Sequence, residues 1–326
     1  MSAPVPTHSV HGTFVSEKIN KVRWRPDNFS HSHFFLTGSV DNDENHIKLW
    51  DFHENQEEDD VYPSLISSYA YDGDVTEAKV YIVSFVFKCR LFWMEKPPPC
   101  TALAVYENDV ATVGEDGCIN LLTAQSQKVV RKLEEADSCS IHCVIFVKHN
   151  EILTSNLRGQ MKVWDLRSSK EEPSITFMLS GDQVTPTCLT YHPTQRHLII
   201  AGDDLGALTT WDLRQNTYPV NVLNAHDGMI SEIQFHPDHP DQLFSCSTSG
   251  ELWHWSTKSK NLLSAGLENA DSNVWLAPDN VKDKLEVFTL MPILAKPINT
   301  LDINTNKVIC GCDNEAIYLI NNVMLY

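Results

Sequence analysis

The clearest pattern along the chain is an apolar run that starts just after a glycine and ends in a tryptophan. Gly159, Gly206 and Gly250 each stand five residues before a tryptophan, with apolar residues between them. In these runs the tryptophan and an apolar neighbour, such as Val163 and Trp164, are adjacent. Adjacent residues of a strand point to opposite faces of its sheet. The runs therefore predict β-strands that are covered on both faces.

The same offset recurs along most of the chain, which predicts a repeat architecture. A run after Gly117 lacks the tryptophan, Asn45 replaces the glycine before Trp50, and Glu315 opens a looser match. The glycines at 117, 159, 206 and 250 are separated by 42, 47 and 44 residues. The predicted structural-repeat residues are Trp50, Trp164, Trp211, Trp255, Gly117, Gly159, Gly206 and Gly250.

A second signal precedes the glycine runs: an apolar residue, a basic residue and then proline, ending at Pro26, Pro193 and Pro237. Proline removes a ladder donor, so a strand must end before it. Each unit thus contains at least three strands, and a period of about 40 to 45 residues is that of one four-stranded propeller blade. We predict an all-β propeller of about seven blades in one domain, residues 1–326. A β-sandwich is disfavoured, because it explains neither the offset nor the period.

One blade is predicted to be irregular. The alignment points at 45 and 117 are 72 residues apart, whereas two repeats would need about 89. The shortage falls at about 61–99, where residues 80–93 have strand character without turn chemistry. Either this second blade is degenerate, or the sequence is a splice or gene-model variant that has lost part of it.

The last repeat has the opposite irregularity. Positions 250 and 315 are 65 residues apart, which implies an inserted loop at about 257–284. Only six residues follow Ile320, too few for a connection and another strand. We predict that the amino-terminal run, residues 11–16, pairs with the last blade and closes the ring.

Composition narrows the classes of function. The net charge of −18 disfavours direct nucleic-acid binding. Nine cysteines without a Cys-x-x-Cys pair, and a start without the pattern of a signal peptide, indicate a reducing, intracellular setting. The most apolar stretch, residues 80–94, contains two basic residues and is too short for a bilayer, so no membrane insertion is expected.

Catalytic chemistry leaves little trace in the sequence. The pair His226-Asp227 is better explained as a structural blade position than as an acid–base pair, and the acidic run at 54–60 as a solvated loop. We predict no catalytic residue, no cofactor and no metal site, and hence a protein that binds other proteins rather than an enzyme.

The Gly-x-apolar-x-apolar-Trp-Asp and His-Pro elements resemble WD40 repeats, which form β-propellers. More specific phrases at 14–26, 37–50, 113–121 and 314–318 resemble the family of the 43-kilodalton nucleoporin, a subunit of the Y-shaped outer-ring complex of the nuclear pore. The segment 74–96 departs from that family, whose members are longer there. The resemblance also implies that the hydrogen-bonded tetrad of Asp, His, Ser or Thr, and Trp is incomplete in several blades.

That family resemblance implies a non-catalytic scaffold subunit that supports pore assembly, nucleocytoplasmic transport of messenger RNA and protein, and kinetochore function in mitosis. It implies other outer-ring nucleoporins as partners, among them the 85-kilodalton helical nucleoporin. The expected location is the nuclear envelope at the nuclear pore, and the kinetochore in mitosis.

An alternative function comes from two blade ends of the form Trp-Asp-Leu-Arg. Such ends resemble the adaptor-binding signature of WD40 substrate receptors of cullin-type ubiquitin ligases. The candidate adaptor contacts are Arg167 and Arg214. The simpler interpretation is that these arginines solvate the ends of their strands.

Overall fold

Six four-stranded antiparallel sheets make up nearly all the regular structure in a computed structural model of the chain. The structure describes residues 8–26, 33–54, 61–71, 74–78, 81–82, 89–90, 100–124, 128–180, 183–257, 274–276 and 285–325. Within these ranges the single helical element is one 3-10 turn, Val274–Leu276. None of the described helical structure is long and apolar enough to cross a membrane.

Each sheet is one blade, and its strands follow one another in the chain from the centre outwards. Blade 1 contains β2 (Ile19–Trp24), β3 (Phe34–Ser39), β4 (Asn45–Glu54) and β5 (Val61–Tyr71). Blade 2 contains β8 (Cys100–Tyr106), β9 (Asp109–Gly114), β10 (Ile119–Thr123) and β11 (Val129–Leu133). Blade 3 contains β12 (Ile141–Lys148), β13 (Glu151–Asn156), β14 (Gln160–Asp165) and β15 (Ile175–Met178).

The remaining three blades follow the same plan, with one exchange of a strand. Blade 4 contains β16 (Pro186–Tyr191), β17 (Leu198–Asp203), β18 (Ala207–Asp212) and β19 (Asn221–Asn224). Blade 5 contains β20 (Ile230–Phe235), β21 (Gln242–Ser247), β22 (Leu252–Ser256) and β23 (Glu286–Thr289). Blade 6 contains β24 (Ile298–Asn304), β25 (Lys307–Cys312), β26 (Ala316–Asn321) and, as its outer strand, β1 (Ser9–Phe14).

The prediction of about seven blades is wrong, because the described residues form six four-stranded sheets. Residues 61–71, assigned to an irregular blade, are instead the outer strand of blade 1. Only 28 residues then remain before β8, too few for a blade of about 40. Their described strands are β6 (Tyr81–Ile82) and β7 (Cys89–Arg90), which pair only with each other.

The predicted ring closure is confirmed. Strand β1 pairs antiparallel with β26, from Ser9 opposite Asn321 to Phe14 opposite Ala316. The paired strand starts two residues earlier than predicted from the sequence. The exchange gives β26 a neighbour on both sides, so the last blade is completed by the first strand of the chain.

The core lies between blades rather than within them. Five of the clusters of buried apolar side chains each join two successive blades, from the contact of blades 2 and 3 round to that of blades 6 and 1. Each repeat tryptophan sits in the cluster shared with the preceding blade. Between blades 1 and 2 the buried residues form two separate, smaller clusters instead.

Residues 74–78, between blades 1 and 2, make the hydrogen bonds of an innermost strand. In several blades, the side chain of the second residue of the innermost strand donates a hydrogen bond to a backbone carbonyl of the next blade. The acceptor is the first residue of that blade's innermost strand. The examples are Asn299 to Ile19, Thr101 to Ile141 and Thr187 to Ile230. In the same way, Asn20 donates to Val75 O at 2.8 Å and Thr76 donates to Cys100 O at 2.8 Å.

The packing of this segment repeats the same relation. A β-carbon on Gly38 would collide with Val75, as one on Gly311 would with Ile19 and one on Gly202 with Ile230. Because glycine has no β-carbon, the first residue of each innermost strand can lie directly against the preceding blade. The chain therefore keeps one further innermost position between blades 1 and 2, although no four-stranded sheet is built on it in the described residues.

The predicted inserted loop at 257–284 lies mostly outside the described residues. Its described part includes the 3-10 turn, where Trp275 is buried and joins the cluster between blades 4 and 5. The acidic run at 54–60 also lies outside the described residues, apart from its first residue, Glu54, which ends β4.

Candidate functional site

The predicted turn glycines occupy equivalent positions. Gly117, Gly159, Gly206 and Gly250 have φ values of 72°, 79°, 88° and 82°. This left-handed region suits glycine, because other residues are strained there by their β-carbon. Glu315 adopts φ 62° at the corresponding point of blade 6, whereas Asn45 of blade 1 already belongs to strand β4. All these turns lie at one end of the propeller, which we call the turn face.

The repeat tryptophans differ in how their indole N–H is satisfied. Trp50 donates to Thr37 Oγ1 at 2.9 Å and Trp164 donates to Thr154 Oγ1 at 3.0 Å, each on the neighbouring strand. Trp211 has no acceptor among the described residues. Trp211 is paired with Ile199 of the neighbouring strand. The residue two positions after Ile199, where a hydroxyl acceptor would lie, is Ala201, and alanine has no hydroxyl.

Blade 5 carries a complete hydrogen-bonded tetrad. Trp255 donates to Ser245 Oγ at 2.9 Å, and His226 Nε2 lies 2.7 Å from the same oxygen. His226 Nδ1 lies 2.9 Å from Glu251 Oε2, and a carboxylate oxygen can only accept, so the neutral imidazole carries its proton on Nδ1 and its Nε2 accepts the hydroxyl proton of Ser245. Burial lowers the pKa of His226, although the Glu251 carboxylate opposes that shift. Glu251 takes the acidic place of the tetrad.

The candidate adaptor contacts lie on the face opposite the turn face, at the ends of β14 and β18. Arg167 binds the carboxylate of Asp165 at 2.8 Å, and Arg214 binds that of Asp212 at 2.7 Å. The hydrogen bond from Arg167 lowers the pKa of Asp165 to about 2. Both side chains remain exposed to solvent. Each guanidinium thus already forms an ion pair with the aspartate of its own Trp-Asp sequence.

A charged network in the central channel was not predicted from the sequence. The channel is a cavity of about 2060 Å³ lined by the innermost strands. Inside it Arg23 lies 2.6 Å from Glu232 and 3.2 Å from Glu77, and Lys21 lies 3.6 Å from Glu77. Arg23 also donates to Thr300 Oγ1 at 3.0 Å.

This network is electrically balanced by its own members. Burial acts to lower the pKa of Arg23, but Glu232 and Glu77 raise it above the ordinary value. Burial raises the pKa of nearby Asp302, against the effect of Arg23. Since these charges neutralise one another, the network joins blades 1, 5 and 6 and residues 74–78 across the channel rather than presenting a free charge to a ligand.

The described side chains were also compared with the requirements of metal binding and of thiol chemistry. No group of three or more His, Cys, Asp or Glu side chains in the described part of the chain could hold a metal ion. Burial raises the pKa of Cys100, Cys118 and Cys143 to about 11, which keeps these thiols protonated and poorly nucleophilic. What the fold offers instead is two loop-bearing faces held by a rigid ring.

Comparisons with known proteins agree with this architecture. Residues 217–273 match the WD40 family, described as WD domain, G-beta repeat. The chain is 34% identical to nucleoporin Nup43 of Homo sapiens, over 95% of this chain and 98% of the human protein, and 32% identical to nucleoporin Nup43 of Mus musculus over the same shares. It is 28% identical to the nuclear pore complex protein nup43 of Dictyostelium discoideum, over 66% of this chain and 51% of that protein.

The alignment with the human protein extends over 372 positions, more than the 326 residues of this chain. The human protein therefore has segments without a counterpart in this chain. Identity at this level along almost the whole length of both proteins establishes common descent. The chain belongs to the Nup43 family of WD40-repeat nucleoporins.

Proposed function

We propose that the protein is a non-catalytic scaffold subunit of the outer ring of the nuclear pore complex. The observation that carries this proposal is the 34% identity to human Nup43 over 98% of that protein. The repeat positions and the closed ring support it, because a closed propeller presents loops on two faces to which other proteins can bind. The location that follows is the nuclear envelope at the nuclear pore.

The physical design of the ring suits a scaffold. Its cores lie between blades, its first strand completes its last blade, and a buried ion-pair network spans its channel. A rigid body of this kind loses little conformational entropy when it binds, so its loops act as preorganised docking surfaces. Assembly into a larger complex needs such surfaces and no reactive centre.

The finer parts of the proposal concern partners and cell-cycle roles. We include in it direct binding to the 85-kilodalton helical nucleoporin of the same complex, through one loop face of the propeller against a helical solenoid. Support of messenger RNA and protein transport, and a place at kinetochores in mitosis, are also parts of the proposal. No direct contact with nucleic acid is expected, because the net charge is −18.

Affinity purification of the tagged full chain from interphase cells tests the proposal. We expect outer-ring nucleoporins to be recovered in fixed proportion to the chain. Recovery of a cullin and its adaptor alone would overturn the proposal in favour of a ubiquitin-ligase substrate receptor. In that case the variant with Arg167→Ala and Arg214→Ala would lose adaptor capture, whereas a scaffold would retain its nucleoporins.

A further inference from the structure

The outer strand of blade 1 is longer than the other five outer strands. Strand β5 (Val61–Tyr71) has 11 residues, whereas β1, β11, β15, β19 and β23 have four to six. It pairs with β4 and is the last strand of its sheet as the structure describes it. One edge of β5 therefore faces outwards over about twice the length found in the other blades.

This strand is also the most exposed of the outer strands. Six successive residues, 65–70, are exposed, and since neighbouring side chains of a strand alternate, both of its faces are open there. Tyr62 is 55% exposed, Leu65 is 50% and Ile66 is 49%. With Tyr69, β5 carries four exposed large apolar side chains, and no other described strand carries more than two. We call residues 65–70 the exposed edge.

Strand β5 lacks the features that usually protect the edge of a sheet. Natural edge strands are kept short, carry charged side chains or contain proline. No residue of β5 is charged, and its one proline, Pro63, lies near its start, before the exposed edge. A long, apolar and uncharged edge of this kind is a site at which another strand can add to the sheet.

The charges on both sides of β5 determine which strand fits. Residues 49–78 include nine acidic residues and no lysine or arginine. Five of the acidic residues, at 54–60, come directly before β5 in the chain, and Asp72 and Asp74 come directly after it.

The described residues around β5 show the same imbalance. Asp43 and Glu44 are exposed just before Asn45, which lies opposite the last residue of β5. Lys48 of the neighbouring strand is already paired with Glu17 at 2.8 Å. Both ends of the exposed edge are therefore acidic, while its centre is apolar.

A second copy of β5 is a poor partner for this strand. An antiparallel pair brings the acidic run at 54–60 of one copy towards Asp72 and Asp74 of the other, and a parallel pair brings each acidic end towards itself. Like charges oppose both arrangements. A strand with basic residues at both ends is attracted instead.

We propose that the exposed edge docks an extended segment of another protein, which has an apolar centre and basic residues at both ends and adds to blade 1 as a fifth strand. Main-chain hydrogen bonds supply affinity, and contacts with Leu65 and Ile66 select apolar side chains. The carboxylates at both ends select the basic flanks and speed association. This surface lies on the rim of the propeller and is separate from its two loop faces.

A synthetic peptide tests the chemistry of the partner. The probe is Lys-Lys-Val-Thr-Val-Thr-Val-Thr-Val-Lys-Lys with a fluorescent label, and its binding to the purified full chain is followed by fluorescence anisotropy. The charge control has glutamate in place of the four lysines. We expect the lysine peptide to bind about tenfold or more tightly than the glutamate peptide, and its affinity to fall as salt is added.

Matched double variants separate docking at the exposed edge from attraction by net charge. Leu65→Ser with Ile66→Ser changes the exposed edge. The control, Val129→Ser with Val130→Ser, changes residues of β11 that are 49% and 71% exposed. In both strands the pair includes the extra residue of a β-bulge. Neither double variant alters the net charge, and melting temperatures should stay close to the wild type.

We expect the β5 variant to bind the lysine peptide about tenfold more weakly than the wild type, because it loses apolar contact area. The β11 variant should bind like the wild type. Hydrogen exchange locates the peptide: the amides of residues 61–71 should be protected when it binds, and those of the other outer strands should be unchanged.

Several outcomes would overturn the proposal. They are failure of the lysine peptide to bind, equal affinity for the two peptides, equal affinity of the two double variants for the lysine peptide, and protection of a different strand. Sedimentation of the wild type alone as a dimer that Leu65→Ser with Ile66→Ser dissociates would assign the exposed edge to a second copy of the chain, and would overturn the proposal as well.

Discussion

At the scale of single residues, Trp211 is the repeat tryptophan whose buried indole N–H lacks an acceptor in the described structure. Thr37, Thr154 and Ser245 supply that acceptor in other blades, and Ala201 stands in the corresponding place. We expect Ala201→Ser to give Trp211 a hydrogen bond and to raise the free energy of unfolding by about 1 kcal/mol, the usual net value of such a bond. Urea denaturation followed by tryptophan fluorescence measures the change.

Ala201→Cys is the matched control for this prediction. It adds a side-chain atom at the same place, but sulfur is a weak acceptor. The cysteine variant therefore gains no strong hydrogen bond. Since Ala201 is fully buried, the added volume is unfavourable, and we expect no stabilisation of the protein. Equal stabilisation by serine and cysteine would show that filling space, and not the hydrogen bond, is responsible.

Buried histidines make the stability of the ring depend on pH. Burial lowers the pKa of His192 to about 4, while an unfolded histidine has a pKa of about 6.5. The unfolded state therefore binds the proton more readily, and stability is lost as the pH falls below about 6.5. At pH 5 this loss is on the order of 2 kcal/mol for His192.

The variant His192→Gln tests the contribution of this imidazole, because glutamine does not titrate. The free energy of unfolding at pH 7.5 minus that at pH 5 should be smaller in the variant than in the wild type. Comparing each protein with itself cancels the cost of the substitution, including the hydrogen bond that Gln195 N donates to His192 Nδ1. An unchanged pH difference would contradict the assignment.

At the scale of elements, strand β1 belongs to a blade at the other end of the chain. It pairs with β26 over the full length of both strands, and without it β26 would become an exposed edge. We expect deletion of residues 1–14 to lower the melting temperature by several degrees and to promote aggregation. Deletion of residues 1–7 is the control, since it leaves the whole of β1 in place and should change neither. Equal melting temperatures for the two deletions would show that β1 does not close the ring.

The sequence carries enough information to predict the blades but not their number. The glycine and tryptophan repeats marked the turns and the inter-blade contacts, because each needs a particular residue at a fixed offset. The predicted number of blades is wrong because residues 61–99 were assigned to a separate blade. Residues 61–71 instead form the long outer strand of blade 1. The sequence does contain a signal that residues 74–78 resemble an innermost strand. Val75-Thr-Glu77 repeats the order apolar residue, hydroxyl residue, Glu that is found in Ile230-Ser-Glu232 at the start of β20.

The contacts across the channel could not be predicted in this way. Arg23 is 54 residues from Glu77 and 209 from Glu232 in sequence, and neither spacing corresponds to a local motif. The charges meet only because innermost strands from different blades face a common axis.

At the scale of the whole molecule, Arg23 connects parts of the ring that no sheet joins. It reaches Glu232 of blade 5, Thr300 of blade 6 and Glu77 in the segment before blade 2. Breaking a buried pair by removing one partner leaves an uncompensated charge, which costs about 3 to 5 kcal/mol. We expect Arg23→Met to destabilise the protein by this amount in urea denaturation.

Arg196→Met is the control for Arg23, because Arg196 lines the same cavity but packs over the rings of Tyr106 and Tyr191, at 5.1 Å from each. Its loss should cost about 1 kcal/mol, the value of an ordinary cation–π contact. Adding Glu77→Gln and Glu232→Gln to Arg23→Met removes the uncompensated carboxylates and should recover part of the lost stability. If Arg23→Met costs no more than Arg196→Met, or if the added glutamines recover nothing, the ring is held by its inter-blade cores alone and the channel charges do not contribute to its closure.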